Sequence, residues 1–248
     1  MYKEYGKGNA KTIVLLHGGG LSWWNYRRAA ELLQKDFHIL LPVLDGHAGS
    51  ERPYTSIEDN AAEIIRLIDE KLNGYADLLG GLSLGGQTAL EILSQRNNIC
   101  GHALIESAAV IPDPLTNALT GPAFGSSYRL ISKRSFAKLQ FASLHMPDTL
   151  FEDYFRDTKG IAKADMIAFM KASTAYTVKE TLKDTEAQVY LYCGEKENKR
   201  IRDSMKRIHE IIEGSTMRIL PGLYHGEFSM NRAEEFADTV RKILEERK

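Results

Sequence analysis

Gly81-Leu82-Ser83-Leu84-Gly85-Gly86 sets a serine midway between two glycines, and the residues on either side of it decide the fold. Upstream, Asp77-Leu78-Leu79-Gly80 reads as a short buried strand; downstream, Gln87-Thr88-Ala89-Leu90-Glu91-Ile92-Leu93 reads as a helix. A serine on so tight a strand-to-helix turn sits in strained backbone with neighbouring chain pressed close, and glycine is needed on both sides of it. Its hydroxyl then stands beyond the sheet, at a helix start whose N–H groups and positive dipole end point at it. That is a nucleophile's position, provided that a base, an acid and oxyanion donors converge on it.

Outward from this turn, strands and helices alternate. Thr12-Ile13-Val14-Leu15-Leu16 is an apolar strand run ending in His17-Gly18-Gly19-Gly20, and residues 24–35 follow with helical spacing. A second strand over 37–41 stops at Pro42 and leads into the loop Asp45-Gly46-His47-Ala48-Gly49-Ser50. Ser56 caps a helix running to Leu72, with Asp59 as the third-residue acid of a capping box. Further strands are predicted over 99–105, 188–193 and 216–220, and a closing helix over 231–244. Such alternation predicts an α/β fold with a parallel sheet and right-handed crossovers, whose ligands sit at the carboxyl ends of the strands. His17, Ser83 and Glu106 all fall at such ends. From 112 to 184 the alternation breaks into helix-like, aromatic-rich segments, so the chain divides into a core of 1–111 and 185–248 and an insertion of 112–184. Most of these aromatic residues pack the insertion onto the body, and a minority face a cavity between the two, where apolar substrate pockets are common.

Composition excludes several function classes. A formal net charge of −1 over 248 residues gives no long-range attraction for nucleic acid or anionic membrane. Residues 1–10 lack the apolar run of a secretory leader, and no stretch approaches the ~18 apolar residues of a membrane span. A cytoplasmic protein is the expectation. Cys100 and Cys193 lie in apolar strand runs and read as buried thiols, so neither a disulfide nor a metal site is expected. The basic run Lys199, Arg200, Arg202, Lys206, Arg207 is interleaved with Ile201, Met205, Ile208 and Ile212 at helical spacing, which makes it a solvated helix face.

A serine hydroxyl is a weak nucleophile near neutral pH, so it needs an imidazole to take its proton and a carboxylate to orient that imidazole. Taken together, His17-Gly18-Gly19-Gly20, Asp45-Gly46-His47-Ala48-Gly49-Ser50, Gly81-Leu82-Ser83-Leu84-Gly85-Gly86, Gly194-Glu195-Lys196-Glu197 and Gly222-Leu223-Tyr224-His225-Gly226 resemble the α/β-hydrolase superfamily over nearly the whole chain. The resemblance implies an α/β-hydrolase fold with an inserted helical cap, Ser83 as nucleophile and His225 as general base. The acid falls first on Glu197, where the family usually has aspartate, then on Glu195, then on Glu106. The resemblance further implies oxyanion donors at the N–H groups of Gly19 and Leu84, with Gly20 able to substitute. Gly20, Trp23 and Trp24 are the candidates to touch substrate, with at least one of the two tryptophans expected in the core. His17 and His47 belong to motifs that are structural in the family. The expected activity is hydrolysis of carboxylic esters or related acyl compounds carrying an apolar part, without cofactor. Two alternatives remain open: a small-ligand receptor that keeps the triad without turnover, and a cofactor-free lyase similar to the synthase of menaquinone biosynthesis.

Overall fold

Strand runs that are apolar at consecutive positions, rather than alternate ones, are covered on both faces. The computed structural model describes residues 1–245, the side chains of residues 126 and 127 excepted. Its elements are β1 (Tyr2–Tyr5), β2 (Thr12–Leu16), α1 (Arg27–Leu33), β3 (His38–Pro42), α2 (Ile57–Leu72), β4 (Ala76–Leu82), α3 (Leu84–Gln95), β5 (Cys100–Glu106), α4 (Pro114–Ile131), α5 (Arg134–Ser143), α6 (Phe151–Thr158), α7 (Lys163–Ala175), β6 (Gln188–Gly194), α8 (Lys199–Ile211), β7 (Thr216–Leu220), α9 (Glu227–Asn231) and α10 (Ala233–Glu245). The strands form one sheet in the order β1-β3-β2-β4-β5-β6-β7, parallel throughout except for β1.

Each face of the sheet carries its own apolar layer. Val14, Leu16, Leu79 and Ile105 pack with Ile64 and Ile68 of α2, Leu90 of α3 and Met205 of α8. Ile13, Leu15, Leu78 and Leu104 point the other way, onto Ala30 and Leu33 of α1 and Phe236 and Val240 of α10. Ser56 accepts the Asp59 N–H as the N-cap of α2, and Asn73 ends that helix in the left-handed conformation. Ile201, Met205 and Ile208 lie on the buried face of α8, and Lys199, Lys206 and Arg207 are exposed, whereas Arg200 and Arg202 are half-buried and donate to the carbonyls of Ile111 and of Glu195 and Glu197.

Three local features depart from the sequence reading. The antiparallel edge strand β1 was not anticipated: it has four residues, none fully buried, and charged Lys3 and Glu4 at its centre, so it has little apolar signal. The helix expected over 24–35 opens as a 3-10 turn, Trp23–Tyr26, before α1. The closing helix is broken at Arg232, whose backbone (φ −115°, ψ 45°) is not helical, so α9 and α10 are separate.

Helices α4 to α7 form the inserted cap. Hydrogen bonds that seat it on the body include Trp24 Nε1–H to Asp157 at 2.7 Å, Tyr54 N–H to Asp165 at 2.9 Å, Gln87 Nε2–H to the Ser173 carbonyl at 2.9 Å, and the Thr158 hydroxyl to the Gly20 carbonyl at 3.4 Å. Among the described residues no helix is long and apolar enough to cross a membrane.

Candidate active site

Ser83 occupies the one residue between β4 and α3, with φ 54° and ψ −114°. That conformation is strained for a residue with a Cβ, and the surrounding backbone fixes it. A Cβ on Gly81 would lie 2.2 Å from the Gly85 carbonyl oxygen, and one on Gly85 would lie 2.1 Å from the Leu16 carbonyl oxygen. The flanking glycines therefore let β4, α3 and the end of β2 touch backbone to backbone. The Ser83 N–H is held by the Glu106 carbonyl at 2.8 Å, and the Ser83 carbonyl accepts from Gln87 at 2.9 Å.

The neighbours of Ser83 bring the other segments in. Leu82 lies against Gly226, the residue after His225, at 3.1 Å from where a Cβ would stand, and against Gly18 at 3.6 Å. Leu84 lies at 3.5 Å from the equivalent point on Gly19, as does Phe169 of the cap. As the first residue of α3, Leu84 has no carbonyl one turn back to receive its N–H. Gly19 is exposed.

His225 lies in the loop between β7 and α9, and its Nδ1 is 2.7 Å from Glu197 Oε2. With a carboxylate as partner, Nδ1 carries the proton and Nε2 keeps a free lone pair. Glu197 is held from three sides, since its Oε1 also accepts the Ser107 hydroxyl at 2.6 Å and the Gly194 N–H at 2.8 Å. The two side chains differ sharply in access: 44% of the imidazole is exposed but only 1% of the Glu197 side chain. Burial by itself would push Glu197 up, but the bond to His225 and those from Ser107 and Gly194 outweigh it and keep the carboxyl below the ordinary range. For His225, loss of water lowers basicity, and the hydrogen bond and charge of Glu197, with the charge of Glu106 behind, overcome that and raise its pKa.

The two other candidate acids have different partners. Glu195 is exposed and accepts the Gly222 N–H at 2.8 Å, bracing the loop that carries His225. Glu106 is 1% exposed and accepts the Ser229 N–H at 3.3 Å, and burial pushes its pKa to about 7. Neither carboxylate bonds to His225; Glu197 does.

The glycine loop is organised by two neutral histidines. His17 Nδ1 donates to the Gly18 carbonyl at 2.9 Å and Nε2 accepts the Leu44 N–H at 3.0 Å. His47 Nδ1 donates to the Asp45 carbonyl and Nε2 accepts the Gly20 N–H, both at 3.0 Å. Burial, reinforced for His17 by the charge His47 would carry, lowers them to about 3 and about 4 respectively. The Gly20 N–H is thus already committed, which removes Gly20 as a substitute oxyanion donor. Sequence reasoning missed Asn25, whose Oδ1 accepts the Gly18 N–H at 3.1 Å, because a lone asparagine beside two tryptophans carries no motif. The contacts of Ser107 with Glu197 and of Phe169 with His47 come from tertiary packing and carry no sequence signal.

The two tryptophans have different surroundings. Trp24 is fully buried, its indole bonded to Asp157, so it is a core residue that anchors the cap and not a substrate contact. Trp23 packs under two cations, with Arg27 Cζ 4.8 Å and Lys3 Nζ 5.1 Å from its ring centre. Cys193 is buried and its thiol is pushed up to about 11 by burial and by the Glu197 charge, which leaves it unreactive.

The sequence matches the alpha/beta hydrolase family over residues 13–239. It is 31% identical over 121 residues to an AB hydrolase superfamily protein of Gibberella zeae, a match that spans 46% of this chain and only 40% of that relative's length. Among solved structures, an enol-lactonase from Burkholderia xenovorans LB400 superposes with a TM-score of 0.83 at 19% identity, covering 99% of this chain and 96% of the other. A thermophilic esterase from Thermogutta terrifontis gives 0.80 at 17%, covering 98% and 93%, and MenH from S. aureus gives 0.78 at 16%, covering 98% and 97%. With a family match across nearly the whole sheet and the cap, and with the serine turn, the glycine loop and the acid–histidine pair meeting at one rim, the chain belongs to the alpha/beta hydrolase family.

Proposed function

We propose that the protein is a serine hydrolase of carboxylic esters or related small acyl compounds. The observation that carries this reading is the 2.7 Å contact of His225 with a buried Glu197, on a loop whose next residue packs against the neighbour of Ser83. In the proposed reaction His225 Nε2 takes the Ser83 proton as Oγ attacks the substrate carbonyl. The resulting oxyanion is met by the N–H groups of Gly19 and Leu84. Collapse of this intermediate breaks the bond to the alcohol, which leaves with the proton from the imidazolium, and the acyl group stays on Ser83. Water then gives a proton to His225 and attacks the acyl-enzyme, and the second collapse releases the acid and restores the serine.

Phe169 lies 3.5 Å from where a Cβ on Gly19 would stand and stacks on His47 at 4.6 Å, so an aromatic face of the cap borders the glycine loop. This supports a substrate with an apolar part. The reading is tested with p-nitrophenyl esters of two to eight acyl carbons: turnover is expected, and Ser83→Ala is expected to abolish it. Undiminished turnover by that variant would refute the assignment.

A further inference from the structure

Ser107 is the first residue beyond β5, and it is one of the few non-glycine residues with positive φ, at 57°. It is 1% exposed. A glycine would occupy this backbone without strain, whereas serine brings a hydroxyl to this position. The hydroxyl donates to Glu197 Oε1 at 2.6 Å, while His225 holds the other oxygen of the same carboxylate. The Ser107 N–H is fixed by the Tyr192 carbonyl at 2.9 Å, and the preceding carbonyl, that of Glu106, receives the Ser83 N–H at 2.8 Å. One short piece of chain therefore touches both the serine turn and the acid.

Glutamate at position 197 makes this contact consequential. Its side chain has one more rotatable bond than aspartate, so a single bond to the imidazole leaves the carboxylate free to swing. Ser107 and the Gly194 N–H close off that freedom by occupying Oε1, and the remaining oxygen is presented to Nδ1 of His225.

We propose that Ser107 is a positioning residue for the hydrolytic reaction, holding Glu197 in the single rotamer that orients His225. The inference rests on the reading of Ser83, His225 and Glu197 as the catalytic set. Ser107 does not touch substrate; it acts through the carboxylate.

The test uses the full chain and p-nitrophenyl acetate, with Ser107→Gly and Ser107→Ala beside the wild type and Ser83→Ala. Removing one charge-assisted hydrogen bond is expected to lower kcat about tenfold, with KM within about twofold of wild type, in both variants. Both variants lose the buried hydrogen bond, but glycine also relieves the strained backbone, so Ser107→Gly is expected to melt above Ser107→Ala; an equal fall in kcat in the two despite that difference separates lost orientation from lost folding. The proton on His225 Nδ1 is expected to give a downfield resonance in the wild type that broadens or disappears in both variants. Wild-type kcat in either folded variant, or an unchanged Nδ1 resonance, would overturn the role of Ser107 while leaving Ser83 as nucleophile. Turnover that survives Ser83→Ala would overturn both readings at once.

Discussion

The Gly20 N–H donates to Nε2 of His47 at 3.0 Å, which commits this donor of the glycine loop within the protein. His47 in turn is fixed by the Asp45 carbonyl and by stacking on Phe169 of the cap. The imidazole thus joins three pieces: the glycine loop, the loop after β3 and helix α7. Because burial lowers His47 to about 4, the accepting nitrogen stays unprotonated across the neutral range.

His47→Ala should therefore loosen the glycine loop without removing a group that reacts. Loss of one well-aimed oxyanion donor costs about 100-fold or more, and a donor that is displaced should cost roughly tenfold. Steady-state kinetics on the best p-nitrophenyl ester should show the fall in kcat, with KM little changed. A variant with wild-type kcat would mean that Gly19 is held by other contacts.

Gly85 and Gly20 should respond very differently to alanine. A methyl on Gly85 would stand 2.1 Å from the Leu16 carbonyl oxygen, so the junction of β2 and α3 must open, at about 3 kcal/mol or more. Gly20 has φ 75° but nothing within 4 Å of its added carbon, and only the backbone strain of about 1 kcal/mol applies. Thermal melting of the two variants should show the larger drop for Gly85→Ala; equal drops would contradict the packing described for the serine turn.

The contrast also shows what the sequence can reveal. Gly81, Ser83 and Gly85 were legible because a strained turn with backbone contacts on both sides excludes almost every other residue type. His225 and Glu197 were legible as candidates through their places after β7 and β6, but the choice among Glu197, Glu195 and Glu106 was not. That choice depends on which carboxylate faces Nδ1, a matter of loop geometry in three dimensions. Which of Trp23 and Trp24 is the core residue was not legible, since an indole after a glycine loop looks alike whether it lines a pocket or, as at Trp24, donates inward to Asp157. The edge strand β1 escaped notice because its half-exposed residues carry almost no hydrophobic signal.

Glu106 offers a test by stability. Its pKa is raised by burial to about 7, whereas an unfolded glutamate titrates near 4.5. A raised folded value means that the protonated form favours folding: the contribution is fully present below about 4.5 and is lost as pH rises through about 7. Relative to Glu106→Gln, which cannot ionise, the wild type should lose on the order of 3 kcal/mol between pH 4.5 and pH 8. Urea midpoints of both proteins across that range measure the difference directly. Parallel curves would show that the carboxyl is not held neutral.

The acid limb of kcat/KM should report His225. Glu197 and, behind it, Glu106 raise its pKa against the effect of desolvation, so the limb should lie above the ordinary histidine range, with activity rising as pH climbs through it. Glu197→Gln removes the nearer charge and should move the limb to lower pH. It should also cut the plateau by about 100-fold or more, because the amide no longer fixes the Nδ1–H tautomer. A limb that stays in place in this variant would assign the titration to another group.

The account stands or falls on the reactivity of Ser83, and a fluorophosphonate followed by peptide mapping tests it most directly, since no natural substrate is required. One covalent adduct is predicted, on Ser83, formed readily by the wild type and slowed by about 100-fold or more in His225→Ala. An adduct on another residue, or labelling of Ser83 that is as fast without the imidazole, would contradict it.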